Sequence, residues 1–305
     1  VNPLAQSTVR QGVTTEIVGN CGFSSAPITP KSVKQIAGRL KGYGFEGDPA
    51  WRTMDEYFSH IEADGVSANF AFFIGHNSLR HAAGLDGDET VTDEHLKIMS
   101  DLVAESMEAG ALGLSTGLEF LPGKFAKTEE IEHLAKVVGK YGGVYTSHVR
   151  NRDSEIFSSM SEFLQIAKTG NVVAQLSHFN VRFDTNAPEN AWERAVGMLV
   201  AEKDKGLDVA ADTTPFRFGL GGKLGNGKQW WSWITFHDVI RAITFLLEKN
   251  VSGPVNLTSP NPVTNQEFTS ALARAMHRPA LFPAPAIALK IALGGFSSEI
   301  LGSKK

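Results

Sequence analysis

TEEIEHLAKVVGKYGGVYTSH, residues 128–148, and SEIFSSMSEFLQIAKTGNVVAQLSH, residues 154–178, repeat one phrase. Each opens with apolar residues at helical spacing, as Ile131 and Leu134 follow Thr128, then meets a glycine and runs into a short apolar segment closed by a histidine. The segments 143–147 and 172–177 are continuous in their apolar character rather than alternating. That pattern predicts strands covered on both faces, the condition of a parallel sheet. A helix before each such strand predicts βα units joined by right-handed crossovers.

The same phrase extends in both directions. Strands are expected at 14–18, 69–75, 111–116 and 207–211 as well, with helices at 53–63, 92–109, 128–141, 154–169 and 190–205. Thr92 and Thr128 stand where an N-cap precedes an apolar stripe, and Gly65, Gly110, Gly142, Gly170 and Gly206 stand where C-caps end one. Six strands result, whereas a closed barrel of this type needs eight. The expected fold class is therefore α/β: an incomplete TIM-type (β/α) barrel of about six βα units, followed by a small α/β tail. The character changes after Asp212. Residues 215–227 are glycine-rich, and Trp230, Trp231 and Trp233 fall within four positions. A helix (237–249), a strand (254–258), a helix (265–276), a proline-rich stretch and an apolar helix (286–293) are expected beyond. The domains are set at 1–214 and 215–305.

The chain's 305 residues suffice for one α/β barrel or two smaller domains. With 29 basic against 33 acidic residues the formal charge is −4, which supplies no basic surface for nucleic acid or an acidic membrane. No nucleic-acid partner and no membrane partner are expected, and no apolar run of spanning length occurs. Cys21 is the only cysteine, so an intrachain disulfide is excluded and a reducing, cytoplasmic location is the default. The chain opens at Val1 without an initiator Met or a signal segment.

Three residues with ligand chemistry share one structural address. Cys21 follows the first strand in Gly19-Asn20-Cys21-Gly22, His148 closes the fourth and His178 closes the fifth. Barrel enzymes place their sites at strand C-terminal ends. One thiolate and two imidazoles suit zinc and leave a fourth position for water. Taken singly, Cys21 reads as a small buried hydrophobe and each histidine as a structural one; the metal reading rests on the three together. Arg150, two residues past His148, either pairs with a substrate carboxylate through its planar fork or makes a structural ion pair at the rim.

Residues 12–23, GVTTEIVGNCGF, with Ala26-Pro27 after them, resemble the cysteine-bearing segment of the N-acyl-D-amino-acid deacylases, a zinc-dependent amidohydrolase family. Gly75-His76-Asn77-Ser78-Leu79-Arg80, then residues 113–120 (GLSTGLEF), Ser147-His148-Val149-Arg150 and Ser177-His178 follow in the family's order. The resemblance covers about 210 residues. It implies an amidohydrolase barrel with Cys21, His148 and His178 on zinc, and a small-molecule N-acyl-D-amino acid substrate hydrolysed at its linear amide. The family's His-x-His pair, expected upstream of the cysteine, has no counterpart after Val1, and its catalytic aspartate has none in the later region. Asp212 is the carboxylate nearest to that role by position. Phe179-Asn180-Val181-Arg182 stands where a lysine is usual, and Thr214-Pro215-Phe216 where Tyr-Pro-Tyr is frequent. Weak or absent turnover is expected, and an unclosed sheet leads to an expectation of self-association.

Residues 219–234, with Gly253–Thr258, Asn261–Asn265 and Arg278-Pro279, resemble the C-terminal part of epimerase-like extended short-chain dehydrogenases. That chemistry needs a Tyr-x-x-x-Lys pair, and the sequence contains none. Gly42-Tyr43-Gly44-Phe45-Glu46-Gly47 satisfies Gly-x-Gly-x-x-Gly, but Arg39-Leu40-Lys41 precedes it instead of a buried strand, so it reads as a loop. An NAD(P)-dependent epimerase or oxidoreductase, argued from the tail, and a non-catalytic fusion fragment are the alternatives to the hydrolase.

Overall fold

The computed structural model describes residues 3–182, 186–213, 227–228, 230–231, 236–249, 261 and 263–275. The chain divides into two compact units, Val1–Thr214 and Pro215–Lys305.

Six parallel strands form the sheet of the first unit: β1 (Thr15–Val18), β2 (Asn69–Gly75), β3 (Gly113–Gly117), β4 (Val144–His148), β5 (Val173–Leu176) and β6 (Val209–Ala211). Their spatial order is their chain order. The helices are α1 (Gln6–Val9), α2 (Val33–Gly42), α3 (Met54–Asp64), α4 (His76–Ala83), α5 (Asp93–Glu108), α6 (Thr128–Gly139), α7 (Ile156–Gly170) and α8 (Ala191–Asp204). This is the incomplete TIM-type barrel that the repeat predicts. Its curvature can be read from one distance. In a flat sheet β1 and β5 would lie about 19 Å apart, four spacings of roughly 4.8 Å. Yet Cys21, just past β1, brings its Sγ within 3.7 Å of His178 Nε2, just past β5.

Side chains sort by face. Tyr145 stacks on Phe163 of α7, and Thr116 bonds both Tyr145 and Ser147, so these residues face the helices. Thr146 bonds Ser177, and Ser115 bonds the backbone past β1, on the opposite, concave face. The core lies between sheet and helices. α6 sends Ile131, Leu134, Ala135 and Val138 into it, and α7 sends Ile156, Met160, Phe163 and Ala167, each set at i, i+3 or i+4 spacing.

The structure moves several boundaries. β3 runs from Gly113 to Gly117 rather than from 111, and Leu112 just before it already bonds Phe72 O through its N–H. Thr92 does cap α5, accepting from His95 N–H. Thr128 does not cap α6: Lys127 holds the cap position, and the Thr128 hydroxyl donates to Glu162 instead. Gly170 is the last residue of α7, and Asn171, in the left-handed region, ends the helix. Helices α1, α2 and α4 have no counterpart among the expected helices.

In the second unit, β7 (Trp230–Trp231) pairs antiparallel with β8 (Val263–Thr264). Two helices are described, α9 (Phe236–Glu248) and α10 (Asn265–Ala275), and Thr264 accepts from Glu267 N–H at the start of the latter. The strand expected at 254–258, the proline-rich stretch, the helix at 286–293 and Thr214-Pro215-Phe216 lie outside the described residues. Among the described residues no helix is long and apolar enough to cross a membrane.

Candidate metal centre

The loop after β1 turns sharply to deliver Cys21. Gly19 and Gly22 have φ of 83° and 80°, and Cys21 itself adopts φ 56°. A non-glycine residue in this region costs on the order of 1–3 kcal/mol and persists only where its surroundings impose it. Those surroundings are specific. The Ser115 hydroxyl donates to Gly19 O at 2.5 Å and accepts from Gly22 N–H at 3.1 Å, bridging the turn. The first amides of α4, Asn77 and Ser78, both donate to Gly22 O. Cys21 N–H donates to Asn20 Oδ1, which also accepts from the Ser177 hydroxyl, tying this turn to the end of β5. Gly117 has to be glycine here, since a Cβ would lie 2.1 Å from Cys21 O.

His148 ends β4 on the concave face. Its Nε2 bonds Glu119 Oε2 at 2.6 Å, leaving Nδ1 directed at Cys21. His178 follows β5 at φ 37°, with Nε2 directed at the same point. Cys21 Sγ lies 3.9 Å from His148 Nδ1 and 3.7 Å from His178 Nε2, and the two nitrogens are 2.6 Å apart. The structure thus brings together the three residues expected to act as ligands. Among the described residues they form the one group of three with metal-ligand spacing.

The set fits a metal on two counts. Zinc bound at ordinary lengths by a thiolate and two imidazoles spaces its ligand atoms roughly 3.4–3.6 Å apart; the two cysteine edges are close to this and the imidazole edge is tighter. Protonation also matches. Burial, then the charges of His148 and Arg152, lower the pKa of His178 to about 4. Burial lowers His148 further than its Glu119 hydrogen bond raises it. Both rings are therefore neutral near pH 7, the form in which an imidazole nitrogen binds a metal; here the two nitrogens meet each other at 2.6 Å. Burial pushes the Cys21 thiol up to about 11 against the opposing pull of Arg152, so metal binding at this site must release its proton.

Glu119 was not singled out in the sequence as a site residue. Burial alone would raise its carboxyl, but hydrogen bonds from His148 and Arg182 and the charges of Arg152 and Arg182 outweigh this and bring it to about 2. Arg182 grips both oxygens, each at 2.6 Å. A carboxylate behind a histidine ligand fixes its tautomer and ring orientation. The available signal was position: Glu119 lies two residues beyond β3 on the same rim.

Neither Arg150 nor Asp212 belongs to the group of three donors. Arg150 donates to both Glu162 oxygens and to the carbonyls of Lys124 and Ala126, which is the structural ion pair of the two alternatives. Asp212 follows β6 and accepts from His178 N–H and from Gln175 Nε2. The Gly42–Gly47 loop is preceded by α2 rather than a strand.

No protein-family model matches the chain. Over 209 residues it is 32% identical to an N-acyl-D-glutamate deacylase of Alcaligenes xylosoxydans xylosoxydans, covering 68% of this chain and 41% of that protein. The solved N-acyl-D-glutamate deacylase of Bordetella bronchiseptica, complexed with zinc and a phosphonate inhibitor, matches with a TM-score of 0.63 at 27% identity, covering 76% of this chain and 46% of that one. A separate 85 residues are 49% identical to an epimerase family protein of Mycobacterium bovis, 28% of each chain. The chain thus spans under half the length of the deacylases it matches.

Proposed function

We propose that residues 1–214, homologous to the N-acyl-D-amino-acid deacylases, form the ligand-bearing part of a zinc-dependent amidohydrolase acting on the linear amide of an N-acyl-D-amino acid. The observation that carries this is the convergence of Cys21 Sγ, His148 Nδ1 and His178 Nε2 from three strand ends on one point. Zinc is the metal in the similar solved deacylase, and a borderline-soft cation suits this mixed donor set.

Such an ion, when bound, supplies an activated water near neutral pH and polarises a carbonyl. The chain's own contribution is arrangement. Cys21 gives up its proton and adds a negative charge; His148 offers Nδ1 because Glu119 holds the other nitrogen; His178 offers Nε2 because burial keeps its ring neutral. Amide cleavage also requires protonation of the leaving nitrogen, and a positioned acid typically contributes about 10²–10⁴-fold. Among the described residues, no carboxylate shares ligand spacing with the three donors. Zinc binding with slow turnover is therefore expected.

Elemental analysis tests the metal: about one zinc per chain in the parent, and none in Cys21→Ala. Equal zinc in both removes the proposal. Hydrolysis of a panel of N-acetyl-D-amino acids by zinc-loaded protein tests the second part, with Cys21→Ala as the control for host enzymes. The epimerase-like stretch carries a second reading, an epimerase-type protein; the missing Tyr-x-x-x-Lys pair weighs against it, and no NAD(P) affinity is expected. Calorimetric titration with NAD(P) separates the two.

A further inference from the structure

Asp212 holds the turn that carries His178 at four points. Its main-chain N–H donates to Leu176 O at 3.1 Å, and its own carbonyl accepts from Phe179 N–H at 2.7 Å. Its Oδ1 accepts from His178 N–H at 2.5 Å and its Oδ2 from Gln175 Nε2 at 2.8 Å. Residues 175–179 are thus splinted against the end of β6. His178 has φ 37°, an uncommon conformation for a residue with a Cβ, sustained where its surroundings hold it. The splint supplies that constraint, and it directs Nε2 toward Cys21 and His148.

We infer that Asp212 is a positioning residue for the metal ligand His178, acting through the His178 main-chain amide. The inference rests on the metal reading above. Each Asp212 oxygen accepts one hydrogen bond from within the turn, Oδ1 from the His178 main chain and Oδ2 from Gln175. What the site needs from this position is an acceptor. An asparagine carbonyl supplies one; an alanine does not.

The experiment compares cobalt titrations of the parent, Asp212→Asn, Asp212→Ala and Cys21→Ala, followed through the thiolate-to-cobalt charge-transfer band and the cobalt d–d bands. Loss of an outer-shell partner typically weakens a site roughly 10–100-fold. Asp212→Ala is expected to fall in that range with altered d–d bands, while Asp212→Asn stays within about threefold of the parent with an unchanged spectrum. Thermal melts of each variant establish that folded proteins are compared, and the near-isosteric Asp212→Asn retains a test if Asp212→Ala does not fold. Parent-like affinity and spectrum in Asp212→Ala overturn the positioning role alone. An Asp212→Asn as damaged as Asp212→Ala overturns it too, because the charge and not the acceptor would then be what matters. A parent with no Cys21-dependent band overturns the metal reading itself, an outcome that the other two do not produce.

Discussion

Glu119 receives His148 Nε2 at 2.6 Å and both arms of Arg182, so one carboxylate joins the ring of a ligand to the cationic wall behind it. Removing it as Glu119→Ala frees His148 to change tautomer or rotate, and Nδ1 no longer has a fixed direction. Zinc affinity is expected to fall roughly 10–100-fold, read by competition against a chromophoric chelator; undiminished affinity would show that β4 alone orients the ring. Cys21, His148 and His178 were legible because residues with metal-ligand chemistry recur at or just past strand ends, a fixed address in a barrel. Glu119, two residues past β3, shares that address but was not distinguished by ligand chemistry, and Arg182 lies four residues past His178, where no periodicity assigns a direction to a side chain. For Arg150 the sequence leaves two roles open. Nearness in sequence to His148 says nothing about which way the side chain turns, and here it turns to Glu162.

At the scale of elements, the amphipathic helices were legible and α4 was not. Seven of its eight residues are buried, so it has no polar face to reveal a period, and it was recognisable only as Gly-His-Asn-Ser-Leu-Arg. Its interior is charged. Arg80 Nη1 and His76 Nε2 meet the two oxygens of Glu130 from α6 at 2.6 and 2.8 Å, with both partners fully buried. Burial by itself would raise the Glu130 carboxyl, but the hydrogen bond and charge of His76 and the charge of Arg80 prevail and lower it. A carboxyl lowered in the folded state stabilises the fold above its unfolded pKa of roughly 4.3. That contribution is lost as pH falls through the folded value. The melting temperature of the parent should therefore decline on acidification below about pH 4.5, and part of the decline should vanish in Glu130→Gln. Glu130→Ala, which strands Arg80 in the core, is expected to cost about 3–5 kcal/mol in denaturant unfolding. An identical acid profile in parent and Glu130→Gln would assign the acid lability elsewhere.

At the scale of the whole molecule, the number of βα units was legible because each unit repeats the same phrase; what the concave face meets was not, since that depends on partners distant in sequence. Among the described residues β1 pairs only with β2, and β6 only with β5. The outer edge of β1 is Thr15-Glu16-Ile17-Val18, with Ile17 59% exposed, and Val173 of β5 is 40% exposed. In a closed barrel, side chains at such alternate positions fill the interior in layers. A parallel edge strand with an exposed β-branched residue and free backbone groups is a template for pairing with another chain. Glu16 does little to prevent it, because its carboxylate accepts from the Thr8 hydroxyl and is held on the other face of the strand. Self-association through this edge is therefore expected, seen as a light-scattering mass that rises above the monomer with concentration. Ile17→Lys places a charge on the edge and should shift that mass back toward the monomer, while a distant exposed substitution such as Lys97→Ala should not. A parent that stays a monodisperse monomer over the same concentrations would mean that the β1 edge is already covered within the chain, and Ile17→Lys would then destabilise the fold instead of dispersing an assembly.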